Sequence, residues 1–126
     1  MSALYTARIV TDFAAAHQLH GYDGPCARLH GHNWKVEVEA ECRDLNAIGI
    51  SIDFKDLKNA TRELTEALDH RNLNEIPPFD RENPTAENIS AHLYRELAAK
   101  LNDGRVRIRA VTLWETDRAC VRYSED

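Results

Sequence analysis

The stretch from Trp34 to Glu41 constrains this chain more than any other. Trp34, Val36, Val38 and Ala40 alternate there with Lys35, Glu37, Glu39 and Glu41. A period of two, apolar on one side and charged on the other, marks a half-buried strand of an antiparallel sheet. An earlier stretch also reads as a strand: Tyr5, Ala7, Ile9, Thr11 and Phe13 alternate with Thr6, Arg8, Val10 and Asp12, both sets mixed in polarity. Between the two, His17 to Gly31 reads as a loop punctuated by Gly21, Gly24 and Pro25.

The period changes at Asp53. Phe54, Leu57, Thr61, Leu64 and Leu68 recur at steps of three and four, which predicts a helix with one apolar stripe, capped by Ser51 or Asp53. The turn-rich stretch from Asp69 to Pro84 ends it. A second helix is expected from Asn83-Pro84-Thr85, with Ile89, Leu93, Leu97 and Leu101 as its stripe and Asn102-Asp103-Gly104 as its stop. Val106 and Ile108 then alternate with arginines, while Val111 and Leu113 continue in the opposite parity. That switch predicts a bulge near Ala110. A turn near Asp117 leads to a last strand around Cys120–Tyr123. The order β-β-α-α-β-β predicts an α+β fold: a four-stranded antiparallel sheet with two helices on one face, as a single domain over residues 1–126. Exposed sheet edges make oligomerisation a natural expectation.

Composition excludes several classes. The 16 basic and 21 acidic residues give a net charge of −5, which argues against a nucleic-acid partner. No apolar run is long enough for a membrane span, and the N-terminal stretch has no basic segment followed by an apolar one, so neither a membrane partner nor a signal peptide is expected. Cys26, Cys42 and Cys120 are odd in number and form no disulfide ladder, which points to a reducing, cytoplasmic setting.

Histidine is the informative residue. Four of the six lie between positions 17 and 32. In His30-Gly31-His32 the two imidazoles point to one face of an extended chain. His17 ends the first expected strand, so a hairpin would bring it to the same place. Three neutral imidazoles match a catalytic zinc site with one position left open; copper, nickel or iron would fit the same donors, and zinc is the commonest. His20 lies in the same loop and could replace His17, but is expected to face solvent or substrate. Cys26, four residues before His30, is a ligand, nucleophile or base if its thiolate is favoured by a nearby cation, and a small buried hydrophobe otherwise. Asp69-His70 pairs a carboxylate with an imidazole, which would fix its tautomer; the alternative is an ordinary helix end. Glu115 is out of pattern in an apolar and basic strand. It either faces solvent or offers a two-toothed match to an amidine-like edge.

Together these pieces resemble a known family. Phe13 to His17, Cys26 to Asn33, Ile52 to Lys58, Leu68 to Asn74, Asn83 to Asn88 and Glu115-Thr116 follow, in order, the motifs of the 6-pyruvoyl-tetrahydropterin and 6-carboxy-tetrahydropterin synthases. The resemblance implies the tunnelling fold (T-fold), with trimers stacked into a homohexamer and active sites between subunits. It implies His17, His30 and His32 as zinc ligands, Cys26 as general base and Asp69-His70 as the second proton-transfer group. It makes Glu115 the anchor of a pterin's pyrimidine edge, with Thr85 as a further substrate contact. Three residues separate Cys26 from His30, a spacing similar to the carboxy branch. That branch acts on 7,8-dihydroneopterin triphosphate and releases acetaldehyde and triphosphate on the route to queuosine. The pyruvoyl branch, or a non-catalytic zinc- or pterin-binding module, is the alternative. Arg28 and Lys55 are the candidates for the triphosphate.

Overall fold

The computed structural model describes residues 3–24 and 27–126. Strands β1 (Tyr5–His17) and β2 (His30–Cys42) pair antiparallel along their whole lengths, from Tyr5 opposite Cys42 to His17 opposite His30. The second strand therefore begins at His30, inside the stretch expected to be loop. Because facing residues share a face, Ala7, Ile9, Phe13, Ala15 and His17 join Trp34, Val36, Val38 and Ala40 on one buried side. Strand β4 (Val106–Thr116) pairs antiparallel with β2 on its other side and with β5 (Ala119–Tyr123) beyond.

The sheet has five strands, not four, and is not wholly antiparallel. Its order is β3-β1-β2-β4-β5, and the two-residue β3 (Arg71–Asn72) runs parallel to β1 beside Ala15 and Ala16. Two residues are too few to show a period. They are placed by long-range bonds: Asp69 Oδ1 accepts the Ala14 N–H at 2.8 Å, and the His70 N–H donates to the Ala14 carbonyl. His70 itself takes φ +58°, which turns the chain into the strand.

The bulge expected near Ala110 is present. Glu39 faces Ala110 and Ala40 faces Ile108, which leaves Arg109 as the extra residue. A second shift on the β5 side, between Trp114 and Thr116, leaves Glu115 without a strand partner.

Helix α1 (Phe54–Glu66) is capped by Asp53, whose Oδ1 accepts the Lys55 N–H at 2.8 Å. It buries Leu57, Thr61 and Thr65; Phe54, expected in the stripe, is 62% exposed at the helix start. Leu68 is buried beyond the helix end. Helix α2 (Ala86–Leu101) is capped by Thr85 and buries Ile89, Leu93 and Leu97, while Leu101 is only partly covered. Both helices share one core with the apolar sheet face. The other face carries a charge ladder: Arg122 grips both carboxylate oxygens of Glu39 at 2.9 and 3.2 Å, and Arg107 and Arg109 flank Glu41. Among the described residues, no helix is long and apolar enough to cross a membrane.

Candidate metal centre

The β1–β2 register builds the centre directly. His17 faces His30, and His32 faces Ala15 two pairs further along, so all three rings emerge on the core side at one end of the sheet. Ring centroids lie 4.6 Å (His17–His30), 4.8 Å (His30–His32) and 5.2 Å (His17–His32) apart. Trp34, fully buried, forms the floor, with its ring 4.9 Å from His17 and 5.2 Å from His32. Its Nε1–H is satisfied by the Ala15 carbonyl at 3.2 Å.

Backbone carbonyls set the tautomers. His17 Nδ1–H donates to the Pro84 carbonyl, and His30 Nδ1–H to the Arg28 carbonyl, both at 2.7 Å. A carbonyl only accepts, so the proton sits on Nδ1 in both rings and Nε2 keeps its lone pair, the arrangement a metal-binding imidazole needs. The Nε2 atoms of His17 and His32 are buried and have no hydrogen-bond partner among the described residues. Glu115 Oε1 approaches them at 3.4 and 3.0 Å, within ion-pair distance but outside hydrogen-bond geometry. Toward His17 the approach sets a carboxylate against a lone pair, which is unfavourable in a buried place unless positive charge lies among these atoms. One donor atom from each of His17, His30, His32 and Glu115 lies within 4.8 Å of the others, so the four residues could hold a metal ion. Burial lowers the pKa of both His17 and His32, and so favours the neutral, ligating form. The donor set of neutral imidazoles and a carboxylate suits zinc and other first-row divalent ions.

Glu115 reaches the cluster because it keeps the phase of Val111 and Leu113. The bulge at Arg109 sets that phase, and the shift between Trp114 and Thr116 frees Glu115 from the β5 ladder.

Asp69 and His70 form a dyad, but not within this cluster. His70 Nδ1 lies 2.8 Å from Asp69 Oδ2, while the other carboxylate oxygen takes the Ala14 N–H. The Ala14 bond first, and His70 next, hold the Asp69 carboxyl below its usual pKa. The His70 side chain is 81% exposed. It borders, with Arg71, an open cleft of about 550 Å³ floored by Ala14, Ala16, Gly31 and Asn33. Those floor residues have the opposite parity to the metal-site histidines, so they belong to the other face of the sheet. His32 also borders the cleft, but its Nε2 is buried.

The remaining expected residues fall as follows. Cys26 lies outside the described residues. Thr85 Oγ1 accepts the Asn88 N–H at 3.1 Å as the α2 cap. His20 is exposed and does not join the cluster. Arg28 contributes its carbonyl to His30. Lys55 opens α1, reached from the Cys42 end of β2, the far end of that strand from His30. Sequence reasoning missed the Pro84 carbonyl and the side chains of Asn74 and Asn83. The only signal for them was their place in the motifs Leu73-Asn74 and Asn83-Pro84.

A sequence profile described as 6-pyruvoyl tetrahydropterin synthase matches residues 6–126. The chain belongs to that family. It is 44% identical over 101 residues to an Archaeoglobus fulgidus protein provisionally assigned as a 6-carboxy-5,6,7,8-tetrahydropterin synthase, covering 79% of this chain and 83% of that one. A 6-carboxy-5,6,7,8-tetrahydropterin synthase of Synechocystis is 35% identical, over 88% of this chain and 86% of its own. A dihydroneopterin monophosphate aldolase of Pyrococcus furiosus is 37% identical over a shorter match, 69% of this chain and 70% of its own. In fold, the chain is similar to the Caenorhabditis elegans 6-pyruvoyl tetrahydropterin synthase, with a TM-score of 0.89, 25% identity and coverage of 99% and 98% of the two chains.

Proposed function

We propose that this chain is a zinc-dependent lyase that converts 7,8-dihydroneopterin triphosphate to 6-carboxy-5,6,7,8-tetrahydropterin, acetaldehyde and triphosphate, the chemistry of queuosine biosynthesis. The observation that carries the reading is the converging set of His17, His30, His32 and Glu115, with two buried and unpartnered Nε2 atoms. Relatives named for this activity support the choice of substrate.

His17, His30 and His32 hold the zinc in this reading. A bound zinc supplies Lewis-acid polarisation of the substrate's side-chain hydroxyls. Glu115, beside the ligands, anchors the 2-amino-4-oxo edge of the pterin through two charge-assisted hydrogen bonds. Thr85 adds a hydroxyl contact. The Cys26 thiolate removes a proton beside the ring. His70, held by Asp69 with its Nε2 outward, returns a proton as triphosphate departs.

Active sites shared between subunits of a homohexamer fit the same geometry. The dyad is exposed and borders a cleft on the face opposite the histidine cluster, so another copy is the natural recipient of His70. Cys42 and Cys120 are both free thiols, in keeping with a cytoplasmic setting.

Product analysis tests the reading. Zinc-loaded protein given 7,8-dihydroneopterin triphosphate is expected to release acetaldehyde. A pyruvoyl product without acetaldehyde would move the chain to the pyruvoyl branch. Turnover of the monophosphate ester alone would favour the aldolase reading.

A further inference from the structure

The motif asparagines take no part in the chemistry above, yet the structure gives three of them a joint task. The β1–β2 pairing stops at His17, and two side-chain amides take the place of a strand partner for the residues that follow. Asn74 Oδ1 accepts the Gln18 N–H at 2.8 Å, and Asn74 Nδ2 donates to the Gln18 carbonyl at 3.0 Å. Asn83 repeats the pattern on His20, accepting its N–H at 2.8 Å and donating to its carbonyl at 2.9 Å. A primary amide presents a donor and an acceptor side by side, as a peptide edge does. Each asparagine therefore pairs with one residue as a neighbouring strand would.

The second clip is bolted to the start of α2. The Asn83 carbonyl accepts both Asn88 Nδ2–H and the Thr85 N–H, each at 2.8 Å, and Thr85 caps the helix. Between Asn83 and Thr85 sits Pro84, whose carbonyl holds His17 Nδ1–H at 2.7 Å. The position of that carbonyl relative to the ring depends on how residues 18–20 are held against residues 83–85.

We propose that Asn83, assisted by Asn74, is a positioning residue for the metal centre: the amide clips fix the exit of β1 against α2, and so aim the Pro84 carbonyl that orients His17. Outer partners of ligating imidazoles fix ring angle and tautomer, and their loss costs metal affinity. Asn83 acts one step further out, through the backbone. A purely structural clip would lower the melting temperature and leave metal affinity alone. The inference rests on the cluster holding a metal, and is independent of the reaction catalysed.

The test is zinc affinity of the full chain, measured by competition with a chromophoric chelator. Asn83→Ala is expected to weaken zinc binding by about 10-fold, the lower end of outer-shell effects, and to speed its release. Asn83→Asp keeps the acceptor for the His20 N–H and should fall between. Asn46→Ala is the stability control, since Asn46 Oδ1 accepts the Ile48 and Ile50 N–H groups in the loop before α1. It should leave zinc affinity unchanged. Unaltered zinc affinity in folded Asn83→Ala overturns the proposal. If that variant does not fold, equal affinity in Asn83→Asp and Asn46→Ala overturns it instead. Failure of the wild-type chain to take up zinc overturns the metal reading first, and this inference with it.

Discussion

The molecule contains two encounters between an imidazole and a carboxylate, and they are built in opposite ways. Asp69–His70 is exposed and fully satisfied: one carboxylate oxygen takes the ring Nδ1–H at 2.8 Å and the other takes a backbone N–H. Glu115–His32 is close as well, at 3.0 Å, yet the buried Nε2 has no hydrogen bond among the described residues. The first pair holds a tautomer and leaves the ring exposed. The second belongs to the group of His17, His30, His32 and Glu115 that could hold a metal ion. The same two residue types thus give an exposed hydrogen-bonded dyad in one place and, in the other, part of a buried cluster that could hold a metal ion. What separates them is whether ring and carboxylate meet in hydrogen-bond geometry, and how far each ring is exposed.

Removing a ligand is the most severe way to break this contrast. His30→Ala is expected to weaken zinc binding by far more than the roughly 10–100-fold typical of an outer-shell loss, while the Asp69–His70 pair stays intact. Metal analysis of purified variant and parent checks this.

Asp69→Asn attacks the other pair. Its Oδ1 can still accept the Ala14 N–H, so the β1–β3 junction should survive. The charge that fixes and supports the His70 ring is lost, and turnover is expected to fall by about 100- to 10,000-fold, the range for general acid–base groups. Zinc affinity should not change. A parallel loss of zinc would show that the two pairs are not independent.

Glu115→Gln sharpens the comparison, because Glu115 borders both roles. If it anchors substrate, kcat/KM should drop by about 10- to 100-fold, in line with the loss of charge-assisted hydrogen bonds, and zinc should remain. Steady-state kinetics with parallel metal analysis separates that outcome from a ligand role, in which zinc would leave.

The smallest effect concerns a histidine outside both pairs. His92 packs edge-on against Phe79 at 5.3 Å, and burial lowers its pKa. Below about pH 6.5 the unfolded chain takes up a proton that folded His92 resists, so stability falls as pH drops. His92→Leu should flatten that slope in chemical denaturation between roughly pH 7 and 5, without touching zinc.

The histidine cluster was legible in the sequence because it depends on local rules. Alternation fixed β2, His30 and His32 share a face by their spacing of two, and a simple hairpin register carries His17 to them. The helices were legible from their stripes, although Phe54 follows the right phase and still lies outside the core. What could not be read depends on contacts between distant segments. Strand β3 is two residues long and exists through bonds from Asp69 and His70 to Ala14. The asparagine clips join residues 56 and 63 positions apart. Glu115 stood out as a carboxylate in the wrong company and keeps the phase of Val111 and Leu113, but its approach to the histidines depends on the pairing of β4 with β2, which its own strand does not announce.

The most direct test of the centre is a cobalt titration of the wild-type chain followed by visible absorption. One Co²⁺ per chain, with the intense d–d bands of a low-coordinate site bearing nitrogen ligands, is the expected result. Weak, non-saturating uptake with only the spectrum of the hydrated ion would contradict the account.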